Sequence, residues 1–139
     1  MISRVLVAMD GSELSEKALR FALDAHSDAD ITVLHVVGEP SSMMGQATGL
    51  VLADDIEQAA EDAAQGVFDQ ARDLAAEYDV DLVTKTAIGH PAREIINRAE
   101  DFDTVVIGMH SGSLADRILV GNIAKRVFRH SPVPVTVVR

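Results

Sequence analysis

Five short apolar runs punctuate this sequence, and each is divided from the next by a segment long enough to hold a helix. They are Arg4–Ala8 (RVLVA), Ile31–Val37 (ITVLHVV), Asp81–Ala87 (DLVTKTA), Thr104–Gly108 (TVVIG) and Val133–Val138 (VPVTVV). The first and fourth are continuously apolar, the pattern of strands covered on both faces. Between the runs, apolar residues fall at helical spacing. Leu14, Ala18, Phe21, Ala22 and Ala25 follow the first run. Ile56, Ala60, Ala63, Val67, Ala71, Leu74 and Tyr78 mark a long helix over 54–78. Ala92, Ile95, Ile96 and Ala99 follow the third run, and a last helix ends near Arg129, before Ser131-Pro132. Parallel neighbours need a crossover, and a helix is the usual one, so this alternation predicts an α/β fold: an open parallel five-stranded sheet with helices on both faces. A chain of 139 residues fits one such domain, 1–139.

The punctuation agrees. Asp10-Gly11 ends the first strand, and Ser12 can cap the helix after it. Gly89-His90-Pro91 ends the third strand and puts proline at a first helical position. Pro134 has no N–H for a ladder, which places the fifth strand at a sheet edge. An apolar edge invites pairing, so a homodimer through Val133–Val138 is expected. Residues Glu39–Ala53 have no period and carry Pro40, Met43 and Met44. They read as a long loop that could close over a ligand, with the methionines as adaptable contacts or as filler.

Charge removes several function classes. There are 22 acidic and 12 basic residues, a formal charge of −10. Such a surface repels nucleic acid and anionic membranes. With only three lysines, the carboxylate excess suits a salt-rich cytoplasm, with stability that rises in molar salt, or else an ordinary acidic protein that gains nothing from salt. There is no cysteine, so thiolate chemistry and disulfides are out. No run approaches the ~20 apolar residues that span a bilayer, and MISRVLVAMDGS reads as strand and turn rather than a signal peptide. A cytoplasmic protein is expected. The Walker A, dinucleotide, zincin and nucleophile-elbow patterns are all absent. A phosphate-accepting receiver would find only Asp10 among its acids, and a flavin site would lack aromatics.

The chemistry gathers in Gly108-Met-His-Ser-Gly-Ser-Leu-Ala-Asp-Arg-Ile-Leu-Val-Gly121-Asn122. Gly108 and Gly112 permit close backbone approach, and Ser111 and Ser113 add hydroxyls. Gly121-Asn122 opens a helix, whose free N–H groups and dipole favour phosphate. The same glycines also suit tight turns with no ligand. Arg117, Lys125, Arg126 and Arg129 are the one basic concentration; they could draw in a polyphosphate or form the wet face of the last helix. His110 could touch a phosphate or be solvated. His35 reads as a core or boundary residue, His90 as support for its turn or as a nucleotide-facing group, and His26 and His130 as helix-end residues. No general base or arginine finger is placed for phosphoryl transfer, so any ATP hydrolysis should be slow.

Over its whole length the chain resembles the universal stress protein family. The opening [IV]-[LV]-V-x-x-D-x-S matches Val5 to Ser12, L-H-V matches Leu34 to Val36, G-x-P matches Gly89 to Pro91, and S-x-x-P-V-x-V-V matches Ser131 to Val138. Of the family's G-x2-G-x9-G-[ST], Gly108 and Gly121 match the outer glycines. Ser111 stands at the second glycine, with Gly112 one residue late, and Asn122 stands at the Ser/Thr. The resemblance implies a Rossmann-like sheet of the adenine nucleotide alpha hydrolase type, in order 3-2-1-4-5. It implies an adenine nucleotide (ATP, ADP or AMP), possible Mg²⁺, a dimer through the fifth strand, and a stress-response or signalling role. Carried over by position, Ala8 and Met9 belong to the nucleotide site, and Asp10 lies near the ribose or a nucleotide-bound Mg²⁺. Val36 meets adenine through its backbone, and Gly108, Ser111, Gly112, Gly121, Asn122 and Ile123 line the phosphates. A Cβ at Ser111 could crowd a phosphate, which leaves a second expectation: a dimeric interaction module of the same fold that binds no nucleotide.

Overall fold

The computed structural model describes residues 1–38, 53–109 and 122–139. Its elements run β1 (Arg4–Ala8), α1 (Glu13–Ala25), β2 (Asp30–Val37), α2 (Ala53–Ala76), β3 (Val83–Ile88), α3 (Pro91–Ala99), β4 (Thr104–Gly108), α4 (Asn122–His130) and β5 (Val135–Val138). Of the expected Glu39–Ala53 loop, residues 39–52 lie outside the described residues, and Ala53 is helical instead.

The strands form one parallel sheet in the order β3-β2-β1-β4-β5. Side chains alternate across it. Val5, Val7, Val33 and Val106 face α1 and α2, whereas Leu6, Leu34, Val105 and Ile107 face α3 and α4. Both faces are covered, which is why β1 and β4 read as unbroken apolar runs.

The helices hold two corrections. On α1 the buried face is Ser15, Ala18, Leu19, Ala22 and Leu23, while Ala25 and Phe21 are exposed, Phe21 by 40%. The stripe is turned from the expected one because the two leucines fill more of the space over the sheet than the alanine-rich alternative. On α2 the buried alanine is Ala64 and not Ala63, and Phe68 joins the core. Tyr78 lies in the turn after α2, half-buried against the same core, and Asp79 there has φ 57°. β3 begins two residues later than the apolar run suggests.

β5 is an edge strand, and it starts just after Pro134. That proline has no N–H to lose, and its carbonyl accepts from Val105 N (3.0 Å) and Thr104 Oγ1 (2.8 Å). Thus the residue that ends the ladder on one side anchors it on the other. No helix among the described residues is long and apolar enough to cross a membrane.

The first residues are tied down by a carboxylate. Asp103 Oδ2 accepts from Ser3 N (2.7 Å) and Arg4 N (2.9 Å), and Asp103 N donates to Arg4 O (2.9 Å). These backbone donors, Ser3 first and Arg4 next, stabilise the charged form and hold its carboxyl below the usual aspartate range. A lowered folded-state value means that the contribution is fully present above pH ~4 and is lost as pH falls through that value. Asp103→Asn should therefore lower the urea midpoint at pH 7. The gap to the wild type should shrink as pH drops below about 4; a gap that is constant with pH would show that the carboxylate charge is not what anchors β1.

Candidate functional site

The order β3-β2-β1-β4-β5 has one place where the chain switches direction. From β1 the chain crosses to α1 on one face, and from β4 it crosses to α4 on the other. The crevice beyond the carboxyl ends of β1 and β4 is where open α/β sheets take their ligands. Ala8, Met9, Asp10 and Gly108 all reach it.

The turn after β1 is tightly determined. Asp10 Oδ1 accepts from Ser12 N (2.9 Å), and Ser15 Oγ accepts from Asp10 N (3.3 Å). Ser12 caps α1 by accepting from Ser15 N (3.2 Å), and Ser15 Oγ donates to Ser12 O (2.9 Å). Gly11 sits at φ 84°, a conformation that disfavours any side chain. The result is an exposed carboxylate, with one oxygen held by the backbone, at the carboxyl end of β1.

Met9 is 3% exposed, so its side chain belongs to the core. Its N–H donates to Leu34 O (2.9 Å), and its carbonyl accepts from His35 Nδ1 (2.8 Å). A carbonyl cannot donate, so His35 carries its proton on Nδ1. With Phe68 edge-on at 6.5 Å, His35 is the boundary residue its strand position predicts.

Val36 gains meaning from register. Met9 N–H to Leu34 C=O is the last bond from β1 to β2, and Gly89 N–H to Val37 C=O lies on the β3 side. Backbone groups alternate sides along a strand, so Val36 turns its N–H and C=O toward β1, past the point where β1 leaves the sheet. No described backbone group bonds either one. One donor and one acceptor, side by side, therefore face the crevice from its β2 wall.

Gly108 has a structural reason of its own. A Cβ there would stand 2.9 Å from Leu14 O and 3.0 Å from Leu14 C, so the first turn of α1 rests directly on this position. Met109 N donates to Val138 O (2.8 Å) and carries the chain past β5. Ser111, Gly112 and Gly121 lie outside the described residues, as do His110, Arg117, Met43 and Met44. Asn122 opens α4, exposed, and Ile123 follows it half-buried. The α4 N-terminus is thus where phosphate-binding amides are expected.

One contact was missed by the sequence reading. His90 occupies the N-cap position of α3 but makes no capping bond; instead Nε2 accepts from Arg126 Nη1 at 3.1 Å. This bond ties the start of α3 to the middle of α4. Nothing in sequence spacing pairs residues 90 and 126. His26 and His130 do sit at helix ends. Among the described residues no group of three or more His, Cys, Asp or Glu side chains could hold a metal ion.

Comparison with known proteins agrees with this geometry. The universal stress protein family model matches residues 1–139. The universal stress protein YxiE of Bacillus subtilis is 32% identical over 148 residues, covering 100% of both chains. The solved structure of the universal stress protein UspA from Lactobacillus plantarum superposes with a TM-score of 0.80 at 26% identity, covering 99% of this chain and 98% of that one. More distant structures share the fold: a universal stress protein in complex with cAMP (TM-score 0.72, 22% identity, 99% of this chain and 97% of that one) and one from Archaeoglobus fulgidus in complex with dAMP (0.61, 20%, 100% and 98%). A Rossmann-like sheet with this strand order and this full-length match leaves one assignment: the chain belongs to the universal stress protein family.

Proposed function

We propose that this universal stress protein binds an adenine nucleotide (ATP, ADP or AMP) in the crevice between β1 and β4 and acts as a stress-response or signalling module. The observation that carries the reading is the N–H and C=O of Val36, bonded by no described backbone group, at the same sheet edge as the exposed Asp10 carboxylate. An adenine edge offers a matching acceptor and donor, and a ribose offers hydroxyls that a carboxylate accepts from. Ala8 and Met9 form the wall beneath. The amides at Asn122 and Ile123, with Ser111, Gly112 and Gly121, take the phosphates. Gly108 serves chiefly by letting α1 approach. The nucleotide complexes of the distant neighbours support the same ligand class. Asp10 is the only side chain assigned to a metal, so Mg²⁺ would arrive on the nucleotide phosphates and keep most of its waters. The unit is one domain, 1–139, in the cytoplasm, with no nucleic acid or membrane partner and at most slow hydrolysis.

Calorimetry with ATP, ADP and AMP, with and without Mg²⁺ in high salt, tests this, together with a search for nucleotide retained on the purified protein. Asp10→Ala should weaken binding about 10- to 100-fold, the worth of a hydrogen bond to a charged group. No binding at millimolar nucleotide would overturn the reading in favour of the module without nucleotide, which Ser111 at the second glycine position favours. In either case two copies pair through the free β5 edge, within Val133–Val138, where Pro134 leaves Val135–Val138 to do the bonding.

A further inference from the structure

Where β1 leaves the sheet, the carbonyl of Met9 has a choice of donor. Register pairs Ala8 with Leu34, so the next rung would set Met9 opposite His35. In a parallel ladder a residue bonds the two partners that flank its opposite. Met9 should then donate to Leu34 C=O and accept from Val36 N–H. Only the first bond is made: Met9 N donates to Leu34 O at 2.9 Å. The second place is taken by a side chain, since His35 Nδ1 donates to Met9 O at 2.8 Å. Val36 N–H is left with no described backbone partner.

The ring reaches Met9 O from outside the plane of the ladder. His35 shares its sheet face with Val33, and its ring stands edge-on to Phe68 of α2, with 6.5 Å between centroids. Val36 N lies in the sheet plane instead. A strand-end carbonyl without a donor is costly, so one of the two must serve it. With His35 in place, Val36 N–H stays open. Without it, the donor that the ladder offers to Met9 O is Val36 N–H.

We propose that His35 is a positioning residue for base recognition: by holding the Met9 carbonyl, it keeps Val36 N–H free to donate to a nucleobase ring nitrogen. This rests on the adenine site proposed above, and it makes His35 a determinant of which base fits. A free N–H beside a free C=O asks for an acceptor next to an amino group. Adenine presents N1 beside its amino group, whereas guanine presents an N–H beside a carbonyl, the reverse pattern. A site built to hydrogen-bond one edge rejects the reversed edge, because its own polar groups are left unpaired.

Two variants of the same shape separate the bond from the packing. His35→Leu removes the donor, and His35→Asn keeps an amide N–H close to the place of Nδ1; both lose the ring against Phe68. Circular dichroism checks the fold of each. The first readout is hydrogen exchange at the Val36 amide of the full chain without nucleotide, followed by NMR. It should be fast in the wild type and in His35→Asn, and about tenfold slower or more in His35→Leu, where Val36 N–H closes the ladder. Equal rates in the wild type and His35→Leu would overturn the role of His35. The second readout is calorimetry with AMP against its 1-deaza analogue, which has C–H in place of N1. The wild type and His35→Asn should favour AMP about 3- to 10-fold, the worth of one hydrogen bond, and His35→Leu should bind both alike. An AMP preference that survives in His35→Leu, or a loss of affinity in it by the same factor for both compounds, would overturn the proposal. Slow Val36 exchange in the wild type, or wild-type binding without AMP preference, would overturn it with no variant needed. If the wild type binds neither compound, the adenine site itself fails, and the exchange rates still decide whether His35 holds the ladder open.

Discussion

Gly108→Ala is expected to cost about 1–3 kcal/mol of stability, toward the upper end of what overpacking usually costs. The added methyl carbon would meet Leu14 O at 2.9 Å, Leu14 C at 3.0 Å and Leu14 Cβ at 3.2 Å. Two of these three are backbone atoms in the first turn of a helix, so no side chain can swing aside. Either α1 lifts from β4 or β4 bends. Both displace the Ser12 cap and the Asp10 turn, so nucleotide affinity should drop along with the urea midpoint. Gly66→Ala is the control. Gly66 is exposed on α2 with nothing within 4 Å of its would-be Cβ. The same substitution there should stabilise by about 0.5–1 kcal/mol, because alanine loses less backbone freedom in a helix. Equal effects at the two positions would mean that the α1–β4 contact is looser than the distances indicate.

Leu19→Ala should be costlier still, at about 2–5 kcal/mol. Leu19 is fully buried on α1, in the core that joins the sheet to α2. Removing most of the side chain loses its transfer energy and leaves a hole that a close-packed interior only partly refills. For a domain with about 5–15 kcal/mol in total, this is a large share of the whole. Phe21→Ala, on the same helix, should cost under about 1 kcal/mol, as surface changes usually do. Denaturant curves at unchanged slope would read both. If Phe21 proved the costlier of the two, the buried face of α1 would be the one that its apolar spacing suggests.

That pair of residues shows where sequence reading succeeds and where it stops. Strand positions were legible because strands buried on both faces are apolar throughout, and β1 and β4 match the expected bounds at both ends. The turn of α1 was not, because Ala18 and Ala22 belong to both candidate stripes, with Phe21 and Ala25 to one side and Leu19 and Leu23 to the other, and periodicity weighs a methyl group like an isobutyl one. Pro134 gave the edge position of β5 correctly. The strand order came from family resemblance, since pairings such as Val5 with Thr104 join residues about 100 positions apart. At the site, Asp10 was visible as a polar residue closing an apolar strand. The free backbone groups of Val36 were visible only by resemblance; the physical reason, that β1 leaves the sheet at Met9, needs the register. The Arg126–His90 bond needs the tertiary fold outright.

The position of β1 has a consequence for how the protein is made. β1 is synthesised before the other four strands of its sheet, yet it lies at the centre between β2 and β4. β2 follows soon after, but β4 comes about 100 residues later in the chain. During synthesis one apolar side of β1 therefore waits for its partner. Closing so long a loop before any pairing gain makes this step slow, and an unpaired central strand is sticky. A nascent chain halted before β4 should be the species that chaperones hold and that aggregates without them.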